Sequence, residues 1–223
     1  MKQEYTQKKA AEKWNSYYSK KSLVSRVIEW IIELYFSRAF EKDFKRITKN
    51  LKGKIIEPGC GSGLMSSRLA KQGYEVTVLD ITENALKTAR SNFIKNKTNG
   101  EFVKADIFKM PFESETFDIV WNQGVIEHFD DIKGVVKEMN RLVKKDGYLV
   151  IFVPAYNSPL HLIYRILTIL NLKKLWPFDD QIFFKKKQLF NVMKASGVDP
   201  VRVRRVKGSL FFSLVSYSRK NGG

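Results

Sequence analysis

The sequence predicts an α/β protein built on a doubly wound, mostly parallel sheet. Between residues 54 and 153, short apolar runs alternate with stretches of helical periodicity, which is the pattern of parallel strands joined by crossover helices. A glycine, aspartate or asparagine stands at the end of each of the first four apolar runs, where an open parallel sheet binds its ligands. The length of 223 residues fits one ordinary domain.

Seven strands are predicted, of which the last two are closing strands with alternating faces. They cover residues 54–57, 75–80, 101–106, 116–122, 148–153, 201–206 and 210–217. Helices are predicted over residues 64–72, 82–96, 131–142 and 186–195. Thr82 and the acidic residues at 130–131 suit helix N-termini, and Gly73 and Gly197 suit helix ends. The Lys-Asp-Gly sequence at 145–147 predicts a turn before the fifth strand.

The segments on either side of this core complete a single domain, residues 1–223. Its parts are an N-terminal helical arm (1–50), a core (54–153), a cap after the fifth strand (155–180) and a closing helix with two strands (181–223). The arm contains a long amphipathic helix over 23–47, and the cap contains an apolar stretch over 161–172. We find no internal repeat, low-complexity tract or linker.

Composition excludes several classes of protein. Apolar residues make up 43% of the chain and charged residues 28%, so a substantial core is available and wholesale disorder is excluded. The single cysteine cannot form an internal disulfide or a cysteine-rich zinc site, which indicates a reducing, cytoplasmic compartment. The charged first fourteen residues predict no secretory signal, and no run reaches the ~18 uncharged apolar residues of a membrane span.

The net charge of +17 is concentrated at the two ends of the chain. Residues 1–54 carry +8, residues 55–153 carry −1 and residues 154–223 carry +10. Such basic flanks favour anionic partners, which include nucleic acid, phospholipid headgroups and acidic small molecules. A charge that only improves solubility is the alternative.

A glycine-rich loop follows the first strand, with the sequence EPGCGSG at 57–63. Glycines at alternate positions let the backbone approach a ligand without obstruction from Cβ atoms. A dinucleotide fingerprint needs glycines at its first, third and sixth positions. Counting from Gly59 or from Gly61, the sixth position is Leu64 or Ser66. The loop therefore does not indicate an NAD or FAD site.

Polar residues at the ends of three further strands are candidates for binding the same ligand. Asp80 lies 21 positions after Gly59, where a carboxylate can accept hydrogen bonds from both hydroxyls of a ribose. Asp106 can accept a hydrogen bond from an exocyclic amine. Ile107, next to it, can form an apolar wall for a purine. Asn122 ends the fourth strand at the same crevice. Helix caps at Asp80 and Asn122, and a turn at Asp106, are the structural alternatives.

The succession of these motifs resembles the S-adenosylmethionine-dependent methyltransferases of the Rossmann-like class, especially the small-molecule subgroup that includes quinone-biosynthesis enzymes. The resemblance covers residues 54–153 and is carried by EPGCGSG at 57–63, LD at 79–80, AD at 105–106, FDIVWNQGVIEHF at 117–129 and LVKKDGYLVIFVP at 142–154. It implies a seven-stranded, mostly parallel Rossmann-like sheet with an antiparallel closing strand. The resemblance is specific for the cofactor but gives almost no information about the methyl acceptor.

The resemblance also implies roles for the matching residues. Glu57 orders the glycine loop near the ammonium group of S-adenosylmethionine, while Asp80 meets the ribose and Asp106 the adenine amine. Trp14 and Tyr18 belong to an N-terminal segment that closes over the cofactor. The remaining implied cofactor residues are Gly59, Cys60, Gly61, Gly63 and Asn122 for the methionine part, and Ile81 and Ile107 for the adenine.

Two residues just past the fourth strand are candidates for acid–base chemistry. His128 and Glu127 lie at the predicted mouth of the site, and a base is needed only if the acceptor atom arrives protonated. Packing within the loop is the alternative for both. His161 is predicted to be structural, and Cys60, inside the glycine loop, is excluded as a nucleophile. No cluster in the sequence has metal-ligand spacing, so no metal is predicted.

The cap is rich in aliphatic and aromatic residues, which predicts a small apolar or amphiphilic methyl acceptor. RNA methylation is an alternative, based on the basic flanks and the RVRR strand at 202–205, although no recognised RNA-binding module is present. A cofactor-binding protein without methyl transfer is a third hypothesis. The amphipathic stretches at 23–36 and 161–172, with the basic flanks, predict association with a membrane or another anionic surface. The oligomeric state is not indicated.

Overall fold

A seven-stranded sheet forms the centre of the protein. The computed structural model describes residues 12, 14, 37–172, 182–199, 201–206, 208–209 and 212–221. The strands are β1 (Lys54–Pro58), β2 (Glu75–Asp80), β3 (Glu101–Lys104), β4 (Phe117–Gln123), β5 (Val143–Pro154), β6 (Arg202–Arg205) and β7 (Ser213–Arg219). Their spatial order is β3-β2-β1-β4-β5-β7-β6. The strands from β3 to β5 pair in parallel and β7 is antiparallel to both neighbours, which confirms the predicted sheet.

Helices cover both faces of the sheet. Residues 37–47 form α1, and the others are α2 (Leu64–Lys71), α3 (Glu83–Lys95), α4 (Ile132–Leu142), α5 (Pro159–Ile169) and α6 (Lys186–Ala195), with a 3₁₀ turn at Ile126–His128. Helices α1, α2 and α3 pack on one face, and α4 and α6 pack on the other. Successive strand residues alternate between these cores: Ile55 lies in the first and Ile56 in the second. Each such buried side chain contributes about 1.5–3 kcal/mol.

The helix ends follow the predicted cap residues. Thr82 caps α3 by accepting a hydrogen bond from the Ala85 N–H (3.3 Å), and Asp131 caps α4 by accepting from the Gly134 N–H (2.8 Å). Gly73 follows α2 with a φ of 89°, a conformation that glycine favours. The predicted bounds of β2 and α6 are confirmed, those of α2 and α4 differ by one residue at one end, and those of α3 differ by one residue at both ends.

Every strand except β2 differs from its predicted bounds at one end or both, and the differences at β5 and β3 have a visible cause. Strand β5 begins at Val143, so the predicted turn at 145–147 lies within it as an irregularity: Phe117 pairs with Val143, whereas Ile119 pairs with Tyr148. Asp146 has a φ of 64°, and this left-handed residue absorbs the extra length. Strand β3 ends at Lys104 rather than at Asp106, because the Asp106 carboxylate accepts from the Phe108 N–H (3.0 Å) and turns the chain.

The arm and the cap are described in part. Residues 37–47 are the helical end of the predicted 23–47 helix, while 23–36, 173–181 and 210–211 lie outside the described residues. In the cap, α5 begins at Pro159 after the Ser158 N-cap and ends at Ile169, whereas the prediction was 161–172. Among the helices that the structure describes, none is both long and apolar enough to cross a membrane.

Candidate functional site: a crevice at the carboxyl ends of the central strands

The carboxyl ends of β1 and β4 meet in the middle of the sheet. From β1 the chain continues to β2 and β3 on one side, and from β4 it continues to β5 on the other. This reversal leaves a crevice outside the strand ends, where open α/β sheets bind ligands. The glycine loop after β1, the end of β2 and the segment after β4 all lie at this edge, as the sequence predicted.

Hydrogen bonds fold the glycine loop back onto β2. The N–H groups of Gly59 and Cys60 both donate to the Leu79 carbonyl, at 2.7 and 3.0 Å. Gly59 has a φ of +69°, and a Cβ atom at this position would lie 2.8 Å from a methyl carbon of Val125. Any larger residue at 59 would therefore push the loop away from the segment that follows β4.

Gly63 sets the distance between the loop and α3. Its φ is +58°, and a Cβ atom there would lie 2.9 Å from the Cβ of Ala89 on α3. From the same helix, the side-chain amide of Asn92 donates to the Ser62 carbonyl at 2.9 Å. Val125 and Asn92 were missed by sequence analysis. The available signal for Asn92 was its place on the buried face of α3, three residues after Ala89.

Asp80 connects the glycine loop to the start of α3. One carboxylate oxygen accepts from the Gly61 N–H (3.1 Å), and the other accepts from the backbone N–H (2.9 Å) and the hydroxyl (3.0 Å) of Thr82. The residue is only 8% exposed. Burial raises the pKa of Asp80, and the hydrogen bonds from Thr82 and Gly61 oppose this increase. The carboxylate therefore has a structural role in addition to the one implied for it at the ribose.

We expect the Asp80→Asn variant to bind S-adenosylhomocysteine about tenfold more weakly, a change of about 1.4 kcal/mol. Its free energy of unfolding should fall by about 1–3 kcal/mol, because an amide oxygen can still accept from Thr82 but the amide nitrogen cannot accept from the Gly61 N–H. Because burial raises the folded-state pKa of Asp80, this residue's contribution to stability decreases as the pH rises through that pKa, and the variant should lack this dependence. Calorimetry and urea unfolding measure the two effects.

The matched control is Thr82→Val, which removes the α3 cap and one donor to Asp80. It should lower stability by about 1 kcal/mol and leave the affinity for S-adenosylhomocysteine nearly unchanged. An equal loss of affinity in both variants would mean that Asp80 acts only through the geometry of the loop.

The thiol of Cys60 is buried within the loop. It lies 3.9 Å from the Gly61 carbonyl. Burial raises the pKa of this thiol well above its ordinary value, and the nearby carboxylates of Asp80 and Glu57 add to the effect. A protonated, buried thiol is a poor nucleophile, which agrees with the structural role predicted for Cys60.

Two predicted cofactor residues turn their side chains into the core. Asn122 is fully buried, and its amide donates to the sulfur of Met139 on α4 (3.4 Å). Ile107 is also buried, in the same core as Met110. Strand alternation places the Asn122 side chain on the α4 face with Val120. The predicted placement of the strand end at Asn122 next to the methionine part, and of Ile107 as a wall for the purine, stay predictions. Ile81 and Asp106, by contrast, are half-buried at the strand ends.

The 3₁₀ turn after β4 brings His128 next to the N-terminal arm. The rings of His128 and Trp14 meet edge-to-face, with centroids 5.0 Å apart. His128 is half-buried, and the adjacent Glu127 is fully buried. Trp14 therefore lies against the segment that follows β4, and Tyr18 lies outside the described residues. Closure of the arm over the cofactor stays a prediction. The sequence did not predict the pairing of Trp14 with His128.

Carboxylates are clustered at the crevice although the protein as a whole is strongly basic. Among the described residues, those of Glu57, Asp80, Asp106 and Glu127 lie within four positions of the carboxyl end of a parallel strand. This set suits a ligand that carries sulfonium and ammonium cations, as S-adenosylmethionine does. Within the described ranges, no three His, Cys, Asp or Glu side chains form a group that could hold a metal ion.

Comparison with known proteins agrees with this arrangement. Residues 56–151 match the model of the methyltransferase domain family. The chain is 28% identical to the ubiquinone biosynthesis O-methyltransferase of Pelagibacter ubique, over 74% of this chain and 70% of that protein. It is 26% identical to the enzyme of the same name from Bordetella avium, over 86% and 76% of the two chains.

Solved structures show the same fold. Magnesium protoporphyrin IX methyltransferase from Synechocystis, with bound S-adenosylhomocysteine, has a TM-score of 0.68 at 16% identity and covers 98% of this chain and 97% of its own. A methyltransferase from Thermotoga maritima has a TM-score of 0.66 at 19% identity and covers 89% and 96%. The domain match over residues 56–151 and the two O-methyltransferase relatives support an S-adenosylmethionine-dependent methyltransferase, and the solved structures share its Rossmann-like fold.

Proposed function

We propose that the enzyme methylates a hydroxyl oxygen of a small, amphiphilic acceptor. The observation that carries the proposal is the position of His128, an imidazole held at the crevice between the 3₁₀ turn and Trp14. A hydroxyl oxygen becomes a good nucleophile only when it loses its proton, and histidine is the side chain best suited to accept one at neutral pH. The two relatives named as O-methyltransferases support the same acceptor atom.

The residues of the crevice divide between cofactor and acceptor. Bound S-adenosylmethionine supplies a methyl group on a positively charged sulfur. In our proposal the glycine loop and Glu57 hold its methionine part, Asp80 the ribose and Asp106 with Ile81 the adenine. The backbone at Asn122, whose side chain is buried, completes the methionine site.

His128 and the arm serve the acceptor in this proposal. His128 takes the proton of the acceptor hydroxyl, and the buried Glu127 beside it positions the 3₁₀ turn; Glu127 is the alternative base. Trp14, with Tyr18, covers the crevice, excludes water and presents an aromatic face to the acceptor. An acceptor of this kind has an apolar body and one polar end, which the aromatic arm and the anionic crevice would each contact.

The RNA alternative is weakened by the contacts of the basic strand β6. The guanidinium of Arg204 is bound to Asp43, and that of Arg205 donates to the Tyr156 carbonyl at 3.1 Å. Of the three arginines in the strand, Arg202 is the exposed one. Phosphate binding requires guanidinium groups that are available to the ligand, so this strand offers little surface for RNA.

Release of S-adenosylhomocysteine over an acceptor panel tests the proposal. The panel contains hydroxylated aromatics with and without an apolar tail, their amine analogues, and a bulk tRNA preparation. We expect release with the tailed hydroxylated compounds, at rates in the ordinary enzymatic range of about 1–10³ s⁻¹ for a good acceptor. Release only with tRNA would favour the RNA hypothesis. Cofactor binding without release on any acceptor would favour a cofactor-binding protein.

A further inference from the structure

The segment that precedes α6 lies beside the end of β5, next to the crevice. The Phe184 N–H donates to the Pro154 carbonyl (3.0 Å), and the Tyr156 N–H donates to the Phe184 carbonyl (2.8 Å). The Ala155 N–H points to the other side, where it donates to the Phe212 carbonyl (2.8 Å) and continues the pairing with β7. Phe184 therefore lies on the β4 side of β5. Because β4 has already ended at this level, the segment occupies the space beyond the carboxyl end of β4.

Three rings and an ammonium group meet at this place. The ring centroid of His161, in the first turn of α5, lies 4.3 Å from that of Tyr156 and 4.9 Å from that of Phe183. The Lys185 ammonium lies 4.8 Å from the centre of the Tyr156 ring. His161 and Phe183 are buried, Tyr156 is half-buried and Lys185 is exposed. We call Tyr156, His161 and Lys185 the cap cluster, since an imidazole and an ammonium group both contact the Tyr156 ring.

The imidazole of His161 is buried, yet its ring nitrogens make no hydrogen bond with the part of the chain that the structure describes. The residue is 8% exposed. Burial lowers its pKa, and the charge of Arg165 adds to this effect, so the ring is neutral and has one N–H donor. A buried donor without an acceptor is unfavourable. The structural role predicted for His161 explains its packing but not this unused donor.

The position of Lys185 is not explained by the stability of α6. It is the N-cap residue of this helix, where side chains that accept a hydrogen bond are preferred, and the helix dipole disfavours a cation there. Lys186 and Lys187 follow in the first turn. Within the described ranges, none of these three lysines forms an ion pair. A carboxylate of a ligand at this helix N-terminus would compensate for the unfavourable placement of the lysines.

The two sides of the crevice differ in charge. The cofactor side carries the carboxylates at the ends of the parallel strands, such as Asp80 and Asp106, which suit a cationic cofactor. On the cap side, the described residues 155–172 and 182–198 contain no Asp or Glu. A ligand group that approaches the cap cluster therefore meets cations without competing carboxylates from these residues, and an anionic group is favoured there.

We propose that the cap cluster binds an acidic group of the methyl acceptor. The Lys185 ammonium pairs with a carboxylate of the acceptor, and the His161 ring N–H donates to the same carboxylate. This inference rests on the proposed function and narrows its substrate class. The acceptor carries a carboxylate in addition to the hydroxyl that His128 deprotonates, and its apolar body lies between these two groups.

Calorimetry on the enzyme saturated with S-adenosylhomocysteine tests the proposal without methyl transfer. The probes are para-hydroxycinnamate and its primary amide, which have the same shape and differ in charge. We expect the acid to bind about tenfold more tightly than the amide, and Lys185→Met to reduce this ratio to about twofold or less. Lys185→Arg should keep most of the preference. His161→Phe retains an aromatic ring for packing and should bind the acid about fivefold more weakly.

The matched control is Lys187→Met, because Lys187 is an exposed lysine in the first turn of the same helix. This control should keep the preference for the acid. The proposal would be overturned if the unmodified enzyme did not prefer the acid, whether both probes bound equally or neither bound. An equal decrease in both lysine variants would indicate only a general attraction of anions and would also overturn it. Release of S-adenosylhomocysteine is measured separately, so a retained preference for the acid without release on any acceptor would contradict the proposed function alone.

Discussion

Replacement of His128 by asparagine is expected to lower kcat by about 10²–10⁴-fold with a hydroxylated acceptor. Asparagine is planar and polar and can still pack against Trp14, but it cannot accept a proton at neutral pH. The affinity for S-adenosylhomocysteine should stay unchanged, because His128 is assigned to the acceptor and not to the cofactor. Single-turnover release of S-adenosylhomocysteine, with calorimetry for cofactor binding, separates these quantities.

A pH profile and an altered acceptor distinguish a base from a packing residue. With the unmodified enzyme, kcat should increase with pH until the base is fully deprotonated, and His128→Asn should lack this increase. An acceptor whose hydroxyl is already ionised at the assay pH should lose little rate in the variant. A uniform loss on both kinds of acceptor would contradict the role as base and would favour Glu127 or simple packing.

Trp14→Ala is the companion variant. If the arm only covers the crevice, this change should raise KM for the acceptor more than it lowers kcat, because it removes binding that is similar in the ground state and the transition state. A loss of kcat as large as that of His128→Asn would indicate that the 5.0 Å ring contact positions the imidazole for catalysis.

The sequence predicted those parts of the fold that depend on local signals. Thr82 and Asp131 accept hydrogen bonds from the first turns of their helices, and such caps are visible in a single sequence because donor and acceptor are three residues apart. Strand β5 was predicted to begin five residues too late, because residues 145–147 have the composition of a turn. In the structure the left-handed conformation of Asp146 makes the strand irregular but does not end it.

The sequence could predict the backbone features of the candidate site but not its side-chain contacts. The glycine loop and the strand-end carboxylates follow from motif spacing and from the edge at which parallel strands end. The close approach of Val125 to Gly59 and the core orientation of Asn122 depend on how distant segments pack. The exposure of Leu162, Ile166 and Ile169 on α5 was left open, since an apolar helix face looks the same in a sequence whether protein, lipid or solvent lies against it.

Replacement of Arg204 by alanine is expected to lower the free energy of unfolding by about 2–3 kcal/mol. Arg204 on β6 donates to both carboxylate oxygens of Asp43 on α1, at 2.7 and 2.9 Å, across 161 residues of sequence. Asp43 is 1% exposed, so removal of the guanidinium leaves a buried carboxylate poorly compensated. The loss should be below the 3–5 kcal/mol of a fully buried pair, because Arg204 is 28% exposed and Arg46 still contacts Asp43 at 3.3 Å.

Thermal and urea unfolding measure this effect, and Arg202→Ala is the matched control, since Arg202 is an exposed residue of the same strand. The Arg204 variant should unfold about 5–10 °C lower, whereas the control should stay within about 0.5 kcal/mol of the unmodified protein. In the Asp43→Asn/Arg204→Ala double variant the loss should be smaller than the sum of the single losses, because the two residues interact directly. Equal stability of the two arginine variants would contradict the assigned ion pair. It would also make Arg204 available to an anionic ligand, so the same measurement decides whether β6 fastens α1 to the sheet or belongs to a nucleic-acid surface.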